Sequence, residues 1–588
     1  MKKRKNGIIL PNGFSNHWQD EGNESVNVEF TKSGAVKTRR LFKAVYDFNF
    51  GNHGNITNAF WDGGSYMFFA DKSKLQVAVK TAYSSGGTTY RGWVVDSSSD
   101  YGPFQGSQYC DIVKMGSQVF FAPNFDGEEI LRFANDGAPP FHPTTARTSD
   151  TDVLQCGLIE DNSGVLFAAR TKEDGVFYPT RIRWSAFGEP QNFEPFDTGN
   201  FQNYEDIGTD DDEIMRIVAV GGDLFILKQK SIWIASGLTA GGFVGPEFIK
   251  EIFKNIGVIA PKAVCKTANG FFFVSKDGLY SYTGGKLKKE DLPLWLQLGE
   301  FVGKGYDTDI VLEYNEKNKE LWLIVPTNGN IGPVQEGHAA ASTEPFTPIY
   351  VRNDTGQWAK WAFAIPYDAA GASVQPSVYP STPRSVKFFT ADDGGHFDFL
   401  FMYPRPGGGR MDVYTNPSLE VDPSDVSTDT LVAQTTEVWA GYGPGINRYT
   451  GGTDRYFDFR PVYETPWLDL GTPNTKLMRS ISVVAAVMDT FVKAGETYPF
   501  TVTAFYDNNP DDVRSEKTVA LLPASHGAVL DGTAILNGTL TLTTTNRISY
   551  DAHFADLDGS CRKVKFRFSA PFFEIKEIRV SYIVRGGI

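Results

Sequence analysis

GGDLFILKQKSIWIASG (Gly221–Gly237) and NGFFFVSKDGLYSYTGG (Asn269–Gly285) are the stretches whose reading decides the fold class. The first carries Leu224, Phe225, Ile226 and Leu227, turns at Lys228-Gln229-Lys230 and returns through Ile232, Trp233 and Ile234. The second carries Phe271, Phe272, Phe273 and Val274, turns at Ser275-Lys276-Asp277-Gly278 and returns through Leu279, Tyr280 and Tyr282. Such short apolar runs, rich in β-branched and aromatic residues and bounded by Gly, are strands rather than helices. Asp-Gly supplies the positive φ of a tight hairpin. Gly241-Gly242 and Pro246 punctuate the segment between. Two hairpins amount to four strands, so Met215–Gly285 reads as one sheet.

The theme recurs on both sides. Phe60-Trp61 with Tyr66–Ala70, Val119–Ala122 with Ile130–Phe133, and Val165–Ala169 with Val176–Tyr178 precede it. Leu321–Val325 with Ile349–Val351, and Val386–Thr390 with Phe397–Met402, follow. The spacing of roughly 45 to 60 residues falls among blade-type repeats. A four-stranded sheet cannot cover both of its faces alone, and stacking sheets radially buries them while protecting their edges. The expectation is an all-β chain. It comprises an N-terminal arm and hairpin (residues 1–58), a β-propeller of six or seven blades (59–460), and a C-terminal antiparallel β-sandwich (461–588). A string of sandwiches carries the same local signals. Long loops are expected at 326–346 and 403–460, and a helix at Glu290–Phe301, with Pro293 in its first turn. In the last segment Val564, Phe566 and Phe568 alternate with Lys563, Lys565 and Arg567, the pattern of a strand with one face in solvent.

Composition narrows the function. The chain has 588 residues, 41% of them hydrophobic, enough for an extensive core. Its 56 basic and 70 acidic residues leave a net charge of −14, the wrong sign for a protein that wraps nucleic acid. Cys110, Cys156, Cys265 and Cys561 form no C-x-x-C pair, so reduced structural thiols are expected. The apolar run after MKKRK is too short for a signal peptide or a membrane span, which predicts synthesis in a reducing cytoplasm.

The search for chemistry finds no assembled motif. The seven histidines are isolated, with no H-E-x-x-H and no G-x-S-x-G. Asp210-Asp211-Asp212-Glu213 offers carboxylates to Ca²⁺ but lacks the Gly and distal Glu of an EF-hand loop, and reads as a solvated turn. Ser275-Lys276-Asp277-Gly278 places its Gly one residue early for the S-x-D-x-G-x-x-W turn of sialidases. No catalytic, metal or cofactor residue is assigned.

An ordered series of motifs adds a resemblance. RIRWSAFGEP (Arg181–Pro190) and QNFEPF are followed by the two hairpins quoted above, with GVIAP (Gly257–Pro261) between them. ESVNVEF (Glu24–Phe30) precedes, and ETPWLDLG with KLMRSISV follows (Glu464–Val483). The series resembles the tail hub, or nozzle, proteins of short-tailed bacteriophages, also called packaged-DNA stabilisation or tubular tail proteins. The resemblance implies a non-enzymatic virion protein, assembled in the host cytoplasm. It implies a homohexameric tube below an adaptor ring of the head-to-tail connector, bearing tail fibres, spikes or a needle. Double-stranded DNA passes through such a tube without sequence-specific binding, and no cofactor is implied. The loop YPRPGGGRM (Tyr403–Met411), with Arg405, Gly407, Gly408, Gly409 and Arg410, is the candidate gating or docking loop. A propeller-type glycan-active enzyme and a host-receptor-binding tail protein are the competing classes.

Overall fold

The structure, a computed structural model, describes residues 109–123, 152–173, 175–193, 203–239, 248–292, 310–325, 349–361, 462–488, 547–569 and 574–585 as continuous stretches, and shorter segments elsewhere from residue 4 to 521. The chain is nearly all β, with one 3-10 turn at Pro261–Ala263 among the described residues. Its strands fall mainly into antiparallel four-stranded sheets.

Seven of these follow one another along the chain, the sixth being the start of a larger sheet. Sheet I comprises Ile56–Trp61, Tyr66–Asp71, Leu75–Ser85 and Thr88–Val95, and sheet II Asp111–Met115, Gln118–Ala122, Leu131–Ala134 and Phe141–Pro143. Sheet III comprises Gln155–Asn162, Val165–Glu173, Val176–Trp184 and Tyr204–Asp206. Sheet IV comprises Ile214–Val220, Asp223–Lys228, Ser231–Ala235 and Ile249–Lys254, and sheet V Val264–Thr267, Gly270–Ser275, Gly278–Thr283 and Lys286–Lys289. Sheet VI opens with Val311–Asn315, Glu320–Ile324, Ile349–Arg352 and Trp358–Trp361. Sheet VII joins Pro383–Thr390, His396–Met402 and Val413–Thr415 to Lys43–Val45 from near the start of the chain. The first strand of each sheet lies beside the first strand of the next, and that of sheet VII lies beside that of sheet I.

The two hairpins of Met215–Gly285 therefore belong to two sheets rather than one. Ile249–Lys254 returns along Ser231–Ala235 to complete sheet IV, and Val264–Thr267 opens sheet V. Their packing explains the uninterrupted apolar runs. Leu224 and Ile226 share a core with sheet III, whereas Phe225 and Leu227 share one with sheet V. Phe225, Phe271 and Tyr282 meet there with ring centroids 4.9–5.2 Å apart, while Phe272 turns the other way and stacks on Tyr314 of sheet VI at 5.8 Å. A sheet buried on both faces needs apolar residues at successive positions. Each such side chain contributes about 1.5–3 kcal/mol. Gly257 in GVIAP lies against the preceding hairpin, where a Cβ would come within 2.2 Å of the Gln229 carbonyl carbon, so no larger residue fits.

The chain's two ends are interwoven. Ser25–Val26 pairs parallel with Trp358–Trp361 and antiparallel with Val462–Glu464, extending sheet VI into a nine-stranded sheet with Val564–Ser569, Tyr498–Tyr506 and Val513–Leu521. A second sheet combines Arg4–Ile9, Val28–Phe30 and Val36–Thr38 with Glu574–Val584, Lys476–Met488 and Arg547–Cys561. Val28, Val36, Trp322, Trp361, Tyr463, Phe566 and Ile578 share one core, and the Trp361 indole donates to the Val28 carbonyl at 2.8 Å.

Lys565 departs from the alternation expected of its strand. It is buried rather than solvent-facing, and its ammonium lies 3.0 Å from the fully buried Glu464 carboxylate, which also takes the Arg567 guanidinium. Trp467 and Phe505 present ring faces to the Lys565 ammonium. The expected helix at Glu290–Phe301 is described only in its first residues. Glu290 is not helical there, and residues 293–301 lie outside the described residues, as does 326–346. Removing one partner of a buried pair costs about 3–5 kcal/mol. Glu464→Leu should lower stability by that order in chemical denaturation, and Glu464→Leu with Lys565→Met should recover most of the loss.

Candidate functional site

The first strands of sheets I, III, IV, V and VI converge on a cavity of about 200 Å³. Each contributes one charged or amide side chain to its lining, Asn58, Glu160, Arg216, Lys266 and Glu313, with Tyr109 arriving just ahead of sheet II. Asp111, the first residue of sheet II, stands behind Tyr109 and Arg216.

These side chains bond from sheet to sheet. The Asn58 amide donates to the Cys110 carbonyl at 3.0 Å, linking sheets I and II. Asp111 accepts from the Ile159 backbone N–H at 3.0 Å, linking II and III. Glu160 accepts from the Ala219 backbone N–H at 3.1 Å and from Lys266 at 2.9 Å, linking III to IV and V. The Arg216 guanidinium reaches back from sheet IV to the Asp111 carboxylate and donates to the Tyr109 hydroxyl at 2.7 Å, and Tyr109 donates to Asp111 at 3.1 Å. Glu316 of sheet VI accepts from the Ala268 N–H, after the first strand of sheet V, at 2.6 Å.

Chemically this arrangement holds protons in place. Burial raises the Tyr109 phenol well above its ordinary value despite Arg216. Burial, with Asp111 adding to it, does the same to the Cys110 and Cys156 thiols. Burial alone would discharge Arg216, but Asp111 and Tyr109 hold its pKa above the usual range. The Tyr109 phenol and the Cys110 and Cys156 thiols therefore hold their protons. All four cysteines are buried and none forms a disulfide. No group of three or more His, Cys, Asp or Glu is placed to hold a metal among the described residues.

The acidic run Asp210–Glu213 opens as a turn with Asp210 and Asp211 exposed, and its Asp212 is drawn inward. Asp212 is buried and accepts from the Lys230 N–H at 2.7 Å and from the Ser231 hydroxyl, while Asp211 meets Lys230 at 2.8 Å. Asp210 accepts from Thr180 at 3.1 Å, and Glu213 pairs with Arg170. Lys228, wholly buried beneath the turn, donates to the Ile207 carbonyl. In the sialidase-like turn, Asp277 accepts from Tyr280 at 2.7 Å and from Lys289 at 2.8 Å.

On the outer half of sheet III, Arg181 lies 3.7 Å from the Tyr178 ring centroid and 4.2 Å from that of Tyr204, with a two-pronged bond to Asp206. Arg183 makes the same kind of bond to Glu173. Burial pushes the Glu173 carboxyl up, but bonds from Arg183 and Thr171 outweigh it and leave the pKa below the ordinary value. Glu290 follows suit: burial is outweighed by Ser281, Arg352 and Lys288. The candidate loop residues Arg405, Gly407, Gly408, Gly409 and Arg410 lie outside the described residues.

The cluster around Arg216 went unnoticed in the sequence because its members come from different sheets, Asp111 and Arg216 lying 105 residues apart. The usable signal is a charged or amide side chain recurring in the first strand of successive repeats.

No known family and no curated protein matches the chain. Among solved structures it is similar to PorZ, a surface component of the type-IX secretion system of Porphyromonas gingivalis, with 11% identity and a TM-score of 0.19 over 68% of this chain and 58% of that one, under two thirds of its length. It is similar to a gluconolactonase of Xanthomonas campestris, with 9% identity and a TM-score of 0.26 over 70% of this chain and 100% of that one. A lignostilbene dioxygenase of Pseudomonas brassicacearum gives 8% identity and a TM-score of 0.31, over 64% and 90%. Likenesses this distant carry no functional argument.

Two outcomes follow. Arg216→Met leaves Asp111 buried without its cation and should cost about 3 kcal/mol, whereas adding Asp111→Asn should restore part of it; a double-mutant cycle by denaturation measures the coupling. For Glu173 and Glu290 the folded pKa is depressed, so their contribution is complete above the unfolded value near about 4.3 and is lost as pH falls through the folded one. Thermal stability should decline on acidification below that point, and Glu173→Gln should flatten the decline.

Proposed function

We propose that this chain is the structural hub, or nozzle, of a short-tailed bacteriophage tail. On this reading sheets I–VII are the blades of a seven-bladed β-propeller, its last blade completed by Lys43–Val45. The C-terminal strands, together with Arg4–Ile9, Val28–Phe30 and Val36–Thr38, form an antiparallel sandwich. The observation that carries a structural rather than a catalytic role is the fastening where the first strands meet. Asp111, Glu160, Arg216 and Lys266, the charged groups a propeller enzyme would set against a substrate, are each committed to a neighbouring sheet.

A cavity of about 200 Å³ does not admit duplex DNA, whose major groove alone is about 12 Å wide. The conduit is therefore the hole at the centre of several copies. Six copies at −14 carry 6 × (−14) = −84, and an acidic wall repels phosphate instead of binding it. Adaptor, fibre, spike or needle proteins attach around that tube, which functions in the virion and needs neither a cofactor nor a membrane span. No helix among the described residues is long and apolar enough to cross a membrane.

Electron microscopy of the full chain, alone and on its adaptor ring, tests the reading. The expected image is a six-fold ring with an open centre. Glycan turnover by the isolated chain, or a monomer in both preparations, overturns it.

A further inference from the structure

The first strands of the sheets are taken up by one another, so a surface for association lies on the fourth, outer strands. Two of those whose side chains are described carry opposite charge. The outer strand of sheet V, KLKK (Lys286–Lys289), exposes Lys286, Lys288 and Lys289, and Lys276 is exposed in the neighbouring turn. The outer strand of sheet III ends at Glu205 and Asp206, and the segment after it exposes Asp210 and Asp211.

Part of this charge is used within the chain. Lys288 meets Glu290 at 3.0 Å, Lys289 meets Asp277 at 2.8 Å, Asp206 holds Arg181, and Asp211 meets Lys230 at 2.8 Å. Lys276, Lys286 and Glu205 have no ion pair among the described residues. Burial, with the adjacent Asp206 adding to it, raises the Glu205 carboxyl above its ordinary value.

Asp206 lies opposite Arg181, and Lys286 to Lys289 lie opposite Thr283 to Tyr280, so each patch occupies the outermost strand of its sheet. Sheet IV alone separates them along the circle, and its outer strand, Ile249–Lys254, carries mixed charge.

We propose that the acidic outer edge of sheet III in one copy docks against the basic outer edge of sheet V in the next, joining copies head to tail; this rests on the multi-copy tube described above. A Lys-rich edge ordinarily guards an exposed strand against pairing. Here a complementary edge lies on the same molecule. A two-fold contact centred on either edge sets like charge against like and is repelled, while the head-to-tail arrangement pairs the two edges and can close into a ring. Individual exposed pairs are weak, so association rests on the set and on low ionic strength.

Sedimentation of the full chain at low and high salt, with charge-reversed edges, is the test. The wild type should assemble at low salt and dissociate as salt rises. Lys276→Glu with Lys286→Glu makes both edges acidic, and Glu205→Lys with Asp210→Lys makes both basic; each variant alone should associate at least about tenfold more weakly. Mixing the two should restore assembly in an alternating ring, which also shows that both are folded. If the wild type forms rings and neither reversal weakens them, this surface is wrong and the tube reading stands. A wild type that stays monomeric at low salt overturns the surface, and imaging on the adaptor then decides the tube separately. Symmetric dimers alone overturn both.

Discussion

A four-stranded antiparallel sheet has two faces and no means of covering either. Everything else in this molecule answers that constraint. The side chains of sheet IV divide between two neighbours, Leu224 and Ile226 toward sheet III, Phe225 and Leu227 toward sheet V. Sheet V divides its three consecutive phenylalanines the same way. Apolar packing of this kind is non-directional and would tolerate sliding. The bonds of Asn58, Asp111 and Glu160 to the next first strand supply the missing direction, since each is made at one register only.

The placement of charge follows from the same logic. A carboxylate taken out of water is costly unless hydrogen bonds and a cation replace its hydration. Asp111 accepts from the backbone N–H groups of Ile112 and Ile159, from the Tyr109 hydroxyl and from the Arg216 guanidinium; Glu160 accepts from the Ala219 N–H and from Lys266. Glu464, Lys565 and Arg567 repeat the device between strands far apart in the chain. Such groups specify which strands meet more than they add to stability.

The all-β class and most inner hairpins were legible in the sequence, because Phe271–Val274 and Leu224–Leu227 are too short and too apolar for anything else. Grouping the hairpins was harder. Ile249–Lys254 (IKEIFK) alternates weakly, and only its pairing with Ser231–Ala235 shows where one sheet ends. Lys565 looked solvent-facing because alternation assumes one wet face, and here Trp467 and Phe505 cover the second. The Arg216–Asp111 pair joins positions 105 residues apart, a separation at which local patterns say nothing. The pairing of Arg4–Ile9 with Glu574–Val584 was invisible for the same reason.

That last pairing bears on how the protein comes into being. Ribosomes deliver roughly 5–20 residues per second, so Arg4–Ile9 waits on the order of half a minute or more for its partner strand. Lys43–Val45 waits about two thirds as long for Val413–Thr415. Throughout that interval the nascent polypeptide presents unpaired β edges to a crowded cell, and non-local pairing of this kind is slow to form. Yield in a heterologous host should depend on what shields those edges during translation, and less on how stable the finished molecule is.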